Sequence, residues 1–107
     1  MLCVETAIES AMDALFWVHE GDDSDFIVSN EAWYETETRA VFERVINTCA
    51  FVAQIDAAHS TRFGHDLYLT ANSHGVGFWD GDWKGILTQG QIDELCTACE
   101  RFGGYDT

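Results

Sequence analysis

Apolar residues recur along three stretches of the chain at the spacing of a helix. Between Cys3 and His19, Val4, Ile8, Ala11, Met12, Leu15 and Val18 share one face, while Glu5, Glu9 and Asp13 share the other. Gly21 supplies a stop for this first helix, and Gly21-Asp22-Asp23-Ser24-Asp25 reads as a polar loop. Ser29 or Asn30 can cap a second helical region, whose strongest part runs from about Glu35 to Asp56. Its stripe of Val41, Val45, Cys49, Val52 and Ile55, widened by Phe42, Ile46 and Phe51, predicts the central and most buried helix of the domain. A third amphipathic helix follows from Ile92, Leu95, Cys96, Cys99 and Phe102. Thr88 and Gln91 stand at capping-box spacing before it, and Gly103-Gly104 close it.

Between the second and third helices the period falls to two. Leu67 and Leu69 alternate with Asp66, Tyr68 and Thr70, the pattern of a half-buried strand. Ala71 to Gly75 reads as a turn, and Val76 and Phe78 alternate with Gly77 and Trp79 as a returning strand. Asp80-Gly81 is a second tight-turn signal. A hairpin alone is marginal in water, so it must pack on the helices. The expected fold is a single α+β domain over residues 1–107, with three helices and one antiparallel β-hairpin in the order α-α-β-β-α.

Composition supports a packed domain: 47% of the 107 residues are hydrophobic and 13% aromatic. Disorder needs low hydrophobicity as well as high charge, so it is not expected. Cys3, Cys49, Cys96 and Cys99 all fall at apolar helix positions, and the N-terminus lacks the basic region of a secretory signal. The expectation is a reducing host-cell cytoplasm and four packed thiols.

The charge changes the picture. Nineteen acids against five Lys and Arg give a net charge of −14, which excludes binding of nucleic acid by phosphate neutralisation and argues against docking on an anionic membrane. No apolar run is long enough for a transmembrane helix. The acids are also segregated: the first base in the chain is Arg39, and seven acids fall between Glu20 and Glu37. Three explanations compete. One is a solvated acidic face, another adaptation to high salt, and the third an acidic surface that imitates a nucleic acid. Carboxylates held on a rigid surface can enter a Lys- and Arg-lined groove built for phosphates and gain from the same steering.

The segment Gly64-His65-Asp66-Leu67-Tyr68-Leu69-Thr70-Ala71-Asn72, continued by His74-Gly75-Val76-Gly77-Phe78-Trp79-Asp80, is the most distinctive in the chain. It resembles a pattern in a family of small phage and prophage proteins, which carry Gly-His-Asp-aromatic-aromatic-Leu-Thr-Arg-Asn and then His-Gly-x-Gly-Phe-Trp-Asp-Arg. Ala71 and Gly81 stand where that family has arginines, so whatever those arginines do is not carried over. The resemblance implies a phage or mobile-element origin. By charge and size the chain also resembles anti-restriction and anti-CRISPR proteins, several of which act as DNA mimics.

Read as chemistry, His65, Asp66, His74 and Asp80 suggest a divalent-metal site of a small hydrolase. Strand parity opposes this, because His65 and Asp66 would face opposite sides. The structural reading is stronger: Asn72 and Gly75 shape a turn, Gly77 permits a bulge, and Phe78 and Trp79 pack. Cys96-x-x-Cys99 lies on the apolar stripe of a helix with no second ligand pair, so packing is expected there too. Asp22 to Asp25 lacks the glycine and glutamate of a calcium loop. No nucleophile elbow, phosphate-binding loop or dinucleotide fingerprint is present.

The sequence therefore points to a non-catalytic inhibitor without metal or cofactor. Its expected partner is a basic nucleic-acid-binding host protein or complex, a CRISPR effector or a restriction enzyme. Glu20, Asp22, Asp23, Asp25, Glu31, Glu35 and Glu37 would make the contact, with Trp33 and Tyr34 as apolar anchors. The alternatives are an accessory or dimeric scaffold that binds through aromatics near Trp79 and Trp83, and, more weakly, a hydrolase at His65, Asp66 and His74.

Overall fold

Helical spacing in the first eighteen residues produces a helix as expected: α1 spans Val4–Val18 and buries Ala7, Ile8, Ala11, Met12, Ala14 and Leu15. The computed structural model describes residues 1–18, 28–72, 77–78 and 83–102. After α1 come α2 (Glu31–Thr48), two short 3-10 turns (Ala50–Gln54 and Ala57–His59), α3 (Ser60–Ala71) and α4 (Gln89–Phe102). Among the described residues there are four α-helices and no strand, so the α+β expectation is overturned: the domain is all-helical.

The hairpin fails at its first strand. His65 to Thr70 lie inside α3, which is buried on almost every side from Phe63 to Ala71. A helix enclosed all round shows no solvent stripe, so the helical period is erased and the chance alternation of Leu67 and Leu69 remains. Of the expected second strand, Gly77 and Phe78 are described and belong to neither strand nor α-helix; Val76, Trp79, the turn around Gly75 and the Asp80-Gly81 turn lie outside the described residues. The central helix is therefore α3 rather than the second helix.

Gly64 fixes how α3 sits. A Cβ there would overlap the Ala7 carbonyl, so α1 and α3 cross with their backbones in contact. Ala7, Ala11 and Ala14 on α1 are correspondingly small and buried. Polar groups stitch the same interface. The Cys3 N–H donates to Ser60 Oγ at 2.8 Å, and Ser10 Oγ donates to the Thr61 carbonyl at 2.5 Å.

The second helix ends earlier than its stripe suggests. Helical geometry stops at Cys49 (φ −114°, ψ 79°), and the chain tightens into the 3-10 turn Ala50–Gln54. Every apolar position named from Val41 to Ile55 is still buried or packed against the core. Cys49, Val52 and Ile55 are spaced by three, which a helix of three residues per turn places on one side. The third predicted helix forms as α4. Its capping box is complete: Gln91 N–H donates to Thr88 Oγ1 at 3.1 Å, and Thr88 N–H donates to Gln91 Oε1 at 2.9 Å.

The core is strongly aromatic. Phe63 of α3 sits edge-on to Phe42 and Trp83, with ring centroids 5.9 and 6.0 Å apart, and is tilted against Phe78 at 5.2 Å. Trp83, fully buried, cannot serve as the exposed contact of a scaffold, which removes one support of that alternative. No helix among the described residues is long and apolar enough to cross a membrane.

A candidate acidic groove between α1 and α2

The polar face of α1 carries Glu5, Glu9 and Asp13 at successive intervals of four, which align them along one side of the helix. The chain then reverses, and α2 runs back along α1. Thr38 Oγ1 meets the Met12 sulfur at 3.5 Å, and Arg39 reaches Glu5. Glu31 and Glu35, again four apart, thereby face the α1 row. Between the rows lies an open groove of about 330 Å³ lined by Glu5, Glu9, Asp13, Glu31 and Glu35, with Ile8, Met12 and Phe16 as its apolar part.

Eight residues of α1 separate Glu5 from Asp13, a rise of about 12 Å. Within each row the carboxylates repeat every four residues, about 6 Å along the helix axis, against about 3.4 Å between phosphates along one strand of B-DNA. Like charges four apart on a helix each cost it a few tenths of a kcal/mol, so stability does not account for this arrangement.

Among the described residues, one cation meets these rows. Arg39 donates to both oxygens of Glu5, at 2.7 and 3.1 Å, and lies 3.6 Å from Glu35. The hydrogen bond from Arg39, and then its charge, holds the Glu5 carboxyl below its ordinary value. Glu5 and then Glu35 hold the guanidinium above its own. All three side chains are substantially exposed, so the pairing orients the groove more than it stabilises the fold. Glu9, Asp13 and Glu31 meet no cation among the described residues.

Of the contact residues expected from sequence, Glu31 and Glu35 are brought together in this groove, and Glu37 lies outside it, half-buried. Trp33 is 49% exposed but lies outside the groove lining, two residues and so about 200° round α2 from both Glu31 and Glu35. Tyr34 is not available as an anchor: it is fully buried, packed edge-on beneath Trp33 with centroids 4.8 Å apart, so it supports that ring. Glu20, Asp22, Asp23 and Asp25 lie outside the described residues. Glu5, Glu9 and Asp13 are not among the contact residues expected from sequence; their four-residue spacing is the signal that could have found them.

The distinctive segment has other work. Asp66 is buried and accepts the Trp83 indole N–H at 2.6 Å, while the His65 ring lies 6.3 Å from that of Trp17. Consecutive residues of a helix point about 100° apart, so these two do not share a ligand. His74 and Asp80 lie outside the described residues, and no group of three His, Cys, Asp or Glu converges on a metal position among the rest. Gly77 has a φ of +138° and lies against Thr70, whose Oγ1 accepts the Phe78 N–H at 3.2 Å. Asn72 Nδ2 donates to the Tyr68 carbonyl at 3.0 Å, where α3 ends. The described part of the motif holds the returning chain against α3.

No protein-family model, curated protein or solved structure matches this chain.

The cysteines divide by position. Cys49 and Cys99 are buried thiols; burial raises both, most strongly Cys99. Cys96, half-buried, is pushed up to about 11, again chiefly by burial. Cys3 departs from the expectation of a packed thiol. It is exposed beside the start of α1, and the Thr6 hydroxyl at 3.1 Å draws its pKa below the ordinary value.

Proposed function

We propose that the protein is a non-catalytic inhibitor of phage type that works in the host cytoplasm, presenting a carboxylate array to the cationic nucleic-acid site of a host defence complex. The observation that supports this reading best is the double row of Glu5, Glu9, Asp13, Glu31 and Glu35, which sets five carboxylates face to face along about 12 Å of two packed helices. The rows stand on packed helices, so little conformational entropy is lost on association. The net charge of −14 steers the protein towards a basic site and away from nucleic acid itself.

Competition is the test. Restriction enzymes and CRISPR effectors of the host are incubated with labelled DNA or guide RNA and challenged with the protein. The reading expects release of the nucleic acid from one of them, diminished by moderate salt, and abolished by the combined reversals Glu9→Lys, Glu31→Lys and Glu35→Lys in a variant that retains its helical circular dichroism. Equal inhibition by the reversed variant sinks the proposal.

A further inference from the structure

The solvent stripe of α1 does not stay polar. Glu5, Glu9 and Asp13 repeat every four residues, and the next position of that series is Trp17. Trp17 is 65% exposed, more than any other Trp, Tyr or Phe among the described residues, and it lies outside the α1–α2 groove. An indole left in water forgoes the large apolar burial that such a ring offers, so packing does not account for it there. Its ring neighbour among the described residues is His65, 6.3 Å away and tilted by 45°. The rest of the distinctive segment is occupied with the fold: Gly64 meets α1, Asp66 takes the Trp83 indole, and Thr70 and Asn72 hold the chain at the end of α3. His65 makes no hydrogen bond or ion pair among the described residues, so Trp17 is what it meets. Two side chains that the fold leaves unused come together on one surface, where α1 crosses α3.

We infer that Trp17, held by His65, is the aromatic contact of a docking face on the outer side of α1, and that an arginine-bearing basic segment of a protein partner lies along it. The inference rests on the reading above and names the side chain that such a partner meets besides the carboxylates. Charge selects the occupant. Asp13 stands one turn before Trp17 and Glu9 one turn before that, so a cation over the indole has carboxylates beside it. Trp attracts cations more strongly than the other rings do, and the planar, weakly hydrated guanidinium of arginine is the group best suited to stack on it. A second copy of the chain brings another charge of −14, and a phosphate-bearing surface brings the same sign, so both are repelled from this face.

The probe is an acetylated, amidated arginine-rich peptide, titrated calorimetrically at low salt against the intact protein, with a twin in which glutamine replaces each arginine. Trp17→Ala, Trp17→Phe and Trp33→Ala are compared with the unaltered chain, their helical circular dichroism confirming the fold. None of the three changes the net charge, so the field of the whole protein is the same in all of them and any difference belongs to the ring. The docking face expects the arginine peptide to bind, Trp17→Ala to weaken it about threefold or more, Trp17→Phe to fall between, and Trp33→Ala to leave it unchanged. Equal affinity of Trp17→Ala and the unaltered chain overturns the inference, since the carboxylates alone then hold the peptide. Equal weakening by Trp33→Ala, equal binding of the glutamine twin, or no binding of the arginine peptide overturns it too. If the protein still releases nucleic acid from a host complex in any of those cases, the competition reading stands without this contact; peptide binding that depends on Trp17, with no host complex giving up its nucleic acid, keeps the docking face and sinks the competition reading.

Discussion

Trp83 donates its indole N–H to Asp66 across 2.6 Å, with both side chains withdrawn from water. This bond ties the residues that follow the distinctive segment to the middle of α3. It gives Asp66, on sequence the natural metal ligand or acid, a structural duty.

Breaking that bond is therefore costly. Trp83→Phe leaves a buried carboxylate without its indole donor and is expected to destabilise the protein by about 3 kcal/mol. Asp66→Ala strands the indole N–H and costs about 2 kcal/mol, whereas Asp66→Asn, which keeps an acceptor, costs less. Chemical denaturation of the three variants checks the order; an unaffected Asp66→Ala would contradict it.

Gly64→Ala is the most disruptive single methyl group available on α3. The added carbon meets the Ala7 backbone, which has no rotamer to escape into, so the two helices must separate. A loss of about 3 kcal/mol or more is expected, at the upper end of overpacking effects. Gly90, by contrast, has no atom closer than 4.0 Å to an added carbon, so Gly90→Ala is tolerated or stabilising. Thermal melts of the pair measure the difference.

The pairing of Glu5 with Arg39 has a defined pH signature. Because the carboxyl is held below its ordinary 4.5, its favourable contribution is complete above that value and is lost as the pH falls through the lower, folded value. Arg39→Gln removes this acid-side loss. In titrations followed by nuclear magnetic resonance, the Glu5 carboxyl of that variant is expected to move back up towards 4.5.

Thiol reactivity should follow burial and local hydrogen bonding. Limited iodoacetamide at neutral pH is expected to modify Cys3 first, because it is exposed and its thiolate is favoured by Thr6. Cys49 and Cys99 are expected to react only after denaturation. Peptide mass spectrometry reads the order, and early labelling of Cys99 would contradict the packing of α4.

Salt should stabilise the fold. Glu9, Asp13 and Glu31 repel their neighbours without a counter-cation among the described residues, and added monovalent salt weakens that repulsion, cutting its reach to about 10 Å at 0.1 M and less at higher salt. The midpoint of thermal unfolding is expected to rise with potassium chloride, and less so in a variant carrying Glu9→Gln, Asp13→Asn and Glu31→Gln. A falling midpoint would mean that ion pairs outweigh the repulsion.

The sequence by itself determined α1 and α4, because each keeps one face in water and so displays an uninterrupted helical stripe. The Thr88–Gln91 capping box was legible for the same reason: it is a local contact between residues three apart. It also identified the buried set from Val41 to Ile55, though not the break at Cys49, where spacing by four gives way to spacing by three. Tertiary structure alone decided the rest. Enclosure of α3 by its neighbours erased the pattern that would have announced it, and Gly64, read in sequence as part of a motif, is the point where two backbones touch. The groove is of the same kind. Each row of carboxylates is visible along its own helix, but only the reversal of α2 against α1 sets the rows face to face, since charge acts through distances that the order of residues does not contain.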